Sequence, residues 1–150
     1  MTPEQELLAG AAITSFRLNG QFLAVAENLA KPADLTAAWW QVLGAIMAEP
    51  LPVSGIARAM GITRQSVQRI ADLMADKGFA EYRDNPAHKR AKLLAITADG
   101  LAAVRAIDPG HAVFAERLAA AFGTDDLRAA VTAMQRLSAV LETFGDTLEP

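Results

Sequence analysis

The chain has 150 residues, with 14 Lys plus Arg against 17 Asp plus Glu, a net charge of −3, 52% hydrophobic residues and no cysteine. That length supplies a core for one domain without covalent staples, and the missing thiols exclude disulfides, thiolate metal sites and thiol redox chemistry. His88 and His111 stand too far apart for a local metal motif, no apolar run approaches the roughly 18 residues of a membrane span, and the acidic residues 1–6 do not open a secretory leader, so the expectation is a soluble cytoplasmic protein with no metal and no cofactor.

The elements follow in chain order. A first helix is predicted over residues 3–29, with Ile13, Phe16, Gly20 and Leu23 on one stripe. Gly20 costs about 1 kcal/mol there relative to Ala, a cost that a close helix–helix contact would offset. Pro32 disfavours helix at Lys31, so residues 31–34 form a turn. Thr36 caps a second helix over 37–48, with Trp40, Leu43 and Met47 facing inward and Pro50 and Pro52 ending it. Val53, Ile56, Ala57 and Met60 then form a stripe at i, i+3, i+4, i+7, stopped by Gly61. Thr63 caps the next helix, in which Val67, Ile70, Ala71 and Met74 repeat the stripe before Lys77-Gly78 closes it. The period changes to that of strands over 79–83 and 92–97, on either side of the polar loop 84–90. Thr97 caps a long helix with a kink or break at Asp108-Pro109-Gly110. Gly123 ends it, and a last helix carries Leu127, Val131, Met134, Leu137 and Leu141 as an apolar stripe to about Phe144. The fold class is mainly α with a small β-wing.

Charge singles out the middle of this series. Residues 52–98 hold eight basic and four acidic side chains, a local charge of +4, while the remainder holds six basic and thirteen acidic ones. A basic centre between acidic flanks is suited to meeting an anion. The two short helices in that centre satisfy the packing demands of a helix-turn-helix: small Ala57 at the crossing, Gly61 in the turn, and Val67 and Ile70 to pin the second helix. Gln65, Gln68, Arg69 and Asp72 then point away from the pinned stripe. Arg64, Gln65 and Ser66 sit at the helix start, the end that enters a major groove. Gln pairs with adenine, Arg with guanine, and Ser66 with the helix N-terminus meets phosphate. Asp72 would repel phosphate and is expected beyond the groove contact. A loop tipped by His88, Lys89 and Arg90 reaches a neighbouring minor groove as a wing. The alternatives are an ordinary helical hairpin with solvated polar residues and a solvated turn.

These residues resemble the MarR family of winged helix-turn-helix regulators. The resemblance is carried by Leu35-Thr36-Ala37-Ala38-Trp39-Trp40-Gln41-Val42-Leu43, by Ile56-Ala57-Arg58-Ala59-Met60-Gly61, by Ser66-Val67-Gln68-Arg69-Ile70 through Lys77-Gly78-Phe79, and by Arg90-Ala91-Lys92-Leu93 with Ile96-Thr97-Ala98-Asp99-Gly100. It implies a single domain over residues 1–150, with the winged helix-turn-helix at 35–100 and a helical dimerisation region at 1–31 and 101–150. It also implies a homodimer on a pseudo-palindromic double-stranded DNA operator, more often as repressor than activator. One position departs from the resemblance: family wings carry an Asp two residues before the wing Arg, and here that position is His88. A charged His88 would make DNA affinity rise as pH falls.

The resemblance further implies release by a small aromatic or anionic effector, for which Phe16, Arg17, Trp39, Trp40 and Met47 are the candidate pocket. Aromatic residues at helical spacing also serve as plain core. Apolar stripes on the terminal helices exceed what one small winged domain covers, which independently favours a symmetric partner. The competing function is a winged-helix module that binds protein without specific DNA recognition. No nucleophile–base–acid set, metal spacing or Gly-rich phosphate loop favours an enzyme.

Overall fold

A computed structural model describes residues 1–145. Helix α1 (Pro3–Ala30) begins with a capping box, in which the Thr2 hydroxyl accepts from the Gln5 amide at 3.2 Å and Gln5 Oε1 accepts from the Thr2 amide at 2.8 Å. The predicted turn is a 3-10 turn over Lys31–Ala33, closed by Asp34 in the left-handed region at φ 58°. Helix α2 (Ala37–Ala45) is capped twice: Thr36 Oγ1 accepts from the Trp39 amide at 3.1 Å, and Glu27 of α1 reaches across to accept from the Ala37 amide at 2.9 Å.

Helix α2 ends three residues before the predicted 48. The Ile46 and Met47 amides donate to the carbonyls of Leu43 and Gly44, three residues back, which tightens and terminates the last turn. Met47 therefore lies beyond the helix and is 42% exposed instead of facing inward. A further element was not predicted: Leu51–Pro52 forms strand β1. The remaining elements of this half are α3 (Val53–Met60), α4 (Arg64–Lys77), β2 (Ala80–Arg83) and β3 (Leu93–Ile96). The antiparallel sheet has the order β1-β3-β2, with Leu51 opposite Leu94 and Tyr82 opposite Leu94 on the other side.

Helix α5 (Ala98–Phe122) continues through Pro109, so of the predicted kink or break at 108–110 the break is absent. Proline removes one amide donor and crowds one carbonyl, and the Ala- and Leu-rich turns on either side keep the helix intact. Thr97 caps α5 as predicted, accepting from the Gly100 amide at 3.1 Å, and its hydroxyl donates to the Gly78 carbonyl at 2.6 Å. Helix α6 (Thr124–Phe144) follows Gly123, which holds φ at 101°. The expected dimerisation segment 101–150 extends past residue 145, and its last five positions lie outside the described residues.

The chain forms two compact units divided after Asp108. In the first, Leu43, Ile46, Ile56, Val67, Met74 and Leu94 are fully buried and knit α2, α3, α4 and the sheet into one core. In the second, no described residue is buried. Gly20 on α1 has open space where a side chain would stand, so the close contact that would offset its cost is not made among the described residues. No helix among the described residues is long and apolar enough to cross a membrane.

Candidate nucleic-acid interface

The turn between α3 and α4 is built as the sequence requires. Gly61 takes a left-handed conformation at φ 68° and its amide returns to the Ala57 carbonyl, while Ala57 is buried beneath the crossing. Thr63 Oγ1 accepts from the Ser66 amide at 3.1 Å and donates to Ser66 Oγ at 2.9 Å. Ser66 is thus drawn back into the cap, half-buried, with its own hydroxyl proton left to donate. Val67, Ile70, Ala71 and Met74 are buried, which leaves Arg64, Gln65, Gln68 and Arg69 exposed along the other face of α4.

An open cleft of about 690 Å³ runs between α4 and the wing. It brings Arg64, Gln65 and Gln68 together with Arg90, and adds Lys92, Asp72 and Tyr82, which the sequence had not marked as contacts. Ser66, Arg69, His88 and Lys89 do not line it. Three cations therefore face one carboxylate in the cleft, and that carboxylate is already engaged. Asp72 Oδ1 accepts from Gln68 Nε2 at 3.0 Å and from the Tyr82 hydroxyl, and the Tyr82 oxygen accepts from Gln68 Nε2 at 2.9 Å. Burial first, then the neighbouring Asp72, pushes the Tyr82 phenol well above its ordinary range, so it remains a donor. The two acceptors in this ring sit so close together that one N–H of Gln68 is shared between them. What Gln68 has left to present is its carbonyl oxygen and its second N–H, the acceptor and donor that a bidentate adenine contact uses.

The wing loop carries its three candidates exposed. His88 acts as a hydrogen-bond acceptor there, with Nδ1 3.1 Å from the Ala91 amide nitrogen. A protonated imidazole has no acceptor, so protonation would undo this bond instead of simply adding charge. On β2, Arg83 makes an exposed ion pair with Glu81 at 2.8 Å.

The candidate effector residues are split between two settings. Trp39 is half-buried, meets Phe79 edge-on with ring centroids 6.4 Å apart, and has Lys77 Nζ 5.8 Å from its ring centroid. Trp40 is half-buried against the core. Phe16 on α1 is 75% exposed, and Arg17 and Met47 are exposed as well.

A tight helical turn, an exposed polar face on its second helix and a basic hairpin beside it define a winged helix-turn-helix, as the sequence led one to expect. The family model described as MarR family matches residues 33–91. The chain is 35% identical over 127 residues to an uncharacterized protein of Mycobacterium tuberculosis (strain ATCC 25618 / H37Rv), spanning 85% of this chain and 89% of the relative. Its fold is similar to that of the M. tuberculosis transcriptional regulator MosR solved in complex with DNA, at 22% identity and a TM-score of 0.75, over 90% of this chain and 98% of that one. It is also similar to Staphylococcus aureus MarR solved with salicylate and kanamycin, at 15% identity and a TM-score of 0.73, over 93% and 96% of the two chains. At such identities the structural likeness carries the fold alone. The chain belongs to the MarR family of DNA-binding transcription regulators, a family of regulators and not of enzymes.

Proposed function

We propose that two copies of the chain bind one pseudo-palindromic operator in double-stranded DNA and act there as a repressor. Each copy lays the start of α4 in the major groove, with Arg64, Gln65, Gln68 and Arg69 toward base edges and Ser66 toward the backbone. Lys89 and Arg90 of the wing meet the flanking minor groove, carried on the turn that His88 closes. The observation that carries this reading is the cleft that joins Arg64, Gln65 and Gln68 to Arg90 and Lys92.

Pairing is supported by apolar surface that the chain leaves open. Leu7, Leu8, Ile13 and Phe16 of α1 and Val131, Met134, Leu137 and Leu141 of α6 are each at least 40% exposed. Exposed apolar area of that extent is what a symmetric partner removes from water. A small aromatic or anionic effector shifts the dimer away from the spacing that fits DNA, with Phe16, Arg17, Trp39, Trp40 and Met47 as the candidate contacts. The salicylate in the S. aureus relative is of that chemical class.

Selection of bound sequences from random duplex DNA tests the reading. Enrichment of an inverted repeat is expected, and Arg69→Ala should cost about 1–3 kcal/mol and relax preference at one position of each half-site. Absence of enrichment, with weak binding insensitive to salt, would instead support a winged-helix module that binds protein.

A further inference from the structure

Between Arg83 and Leu93 the wing has no strand pairing, so its turns rest on side-chain acceptors. Asn85 supplies the first. Its Oδ1 accepts from the Ala87 amide at 3.0 Å, and its carbonyl accepts from the His88 amide at 3.1 Å. His88 supplies the second. Its Nδ1 accepts from the Ala91 amide at 3.1 Å and, more weakly, from the Arg90 amide at 3.3 Å. One ring lone pair accepts from both amides.

An accepting Nδ1 places the ring proton on Nε2. The reach from residue i to the amides of i+2 and i+3 is the pattern that Asn and Asp side chains make at turns, with an imidazole nitrogen here in place of a carboxylate or amide oxygen. Arg90, whose amide is one of the two donors, lines the cleft beside Arg64 and Gln68. His88 itself does not line that cleft. Its leverage is on the backbone from which Arg90 departs.

We propose that His88 is the positioning residue of the wing: its neutral imidazole caps the turn through Nδ1 and so aims Arg90 along the cleft shared with α4. The proposal rests on the DNA-binding reading given above, and the test separates the two.

Three substitutions distinguish the ring's two nitrogens. His88→Asn puts an acceptor where Nδ1 stands, His88→Gln puts its amide nearer Nε2, and His88→Ala supplies neither. The probe is the duplex enriched by the unsubstituted protein, titrated at several salt concentrations. His88→Asn should bind within about twofold of the unsubstituted protein. His88→Gln and His88→Ala should each bind roughly tenfold more weakly and with a shallower salt dependence, as the loss of an aimed cation requires. Adding His88→Ala to Arg90→Ala should cost nothing further, because both remove one unit. Without DNA, the ring ¹⁵N shifts should report the Nε2-protonated form, and the Arg90 and Ala91 amides should be protected from exchange in the Asn variant but not in the Gln variant. Equal losses in Asn and Gln, additivity with Arg90→Ala, or a ring protonated at Nδ1 would overturn the proposal. Failure of the unsubstituted protein to bind duplex DNA would overturn the DNA-binding reading, and the ring and amide measurements would then decide the His88 turn alone.

Discussion

The winged region and the last helix carry the same kind of apolar stripe and meet different ends. Val67, Met74, Leu43 and Ile56 are fully buried within the chain. Val131, Met134, Leu137 and Leu141, at equally regular helical spacing, are 40%, 44%, 44% and 53% exposed. A stripe at a period of 3.6 states that a helix needs a partner surface. It does not state whether that surface lies in the same chain. The winged region closes its own core beneath α4 and the wing, whereas α6 leaves its apolar face exposed.

The sharpest ways to break the closed half act on its tightest contacts. A side-chain carbon added at Gly100 would stand 2.0 Å from the Phe79 carbonyl oxygen and 2.9 Å from Ile96 Cγ1. Gly100→Ala should therefore destabilise the protein by about 3 kcal/mol or more, although Ala is otherwise the better helix former. Leu43→Ala should cost about 2–5 kcal/mol through lost burial and a residual cavity. Both are checked by the shift of the urea unfolding midpoint. A change below about 1 kcal/mol in either would mean that the region around α2 and the start of α5 is looser than its burial implies.

The open half should respond differently. Leu137→Glu should leave the helix content intact while weakening self-association about a hundredfold, roughly 3 kcal/mol. Its melting temperature should also stop depending on protein concentration. Sedimentation equilibrium of the two proteins checks this. An unchanged association constant would show that α6 does not contribute to pairing.

Much of this contrast was legible in the sequence. The order of helices, the caps at Thr36, Thr63 and Thr97, and the left-handed turns at Gly61 and Gly78 follow from local chemistry that a short window contains. Strand β1 was not legible, because two residues have no period and Leu51 is a strand only by virtue of Leu94, far along the chain. Of the kink or break expected at Pro109, the break is absent because one lost donor did not outweigh the helix-favouring turns around it. At the interface, the pairing of Gln68 with Asp72 had a readable spacing of four. Tyr82, which completes the ring, comes from a strand and carries no such signal. His88 was read as a charge, and the structure uses it as an acceptor, because the loop amides that surround it became visible only once folded.

Smaller effects sharpen the picture of the cleft. Tyr82→Phe should cost about 1 kcal/mol of stability and alter base preference at the position facing Gln68, since the amide is then held by Asp72 alone; sequence selection with the variant checks this. The phenol is raised in the folded protein, so its contribution is fully present below the ordinary tyrosine value near 10 and declines as pH rises toward the folded value. That alkaline decline should be missing in Tyr82→Phe, as read by unfolding across pH 8 to 11. The smallest effect is expected at the exposed Arg83–Glu81 pair, where Arg83→Ala should change stability by no more than about 0.5 kcal/mol in thermal unfolding.

The proposal that the winged region reads DNA while α6 pairs two copies is tested most directly by native mass spectrometry on the selected duplex, prepared with two half-sites and with one. Two chains on the intact site, and loss of most affinity when either half-site is scrambled, is the expected result. A single chain bound with undiminished affinity to one half-site would contradict it.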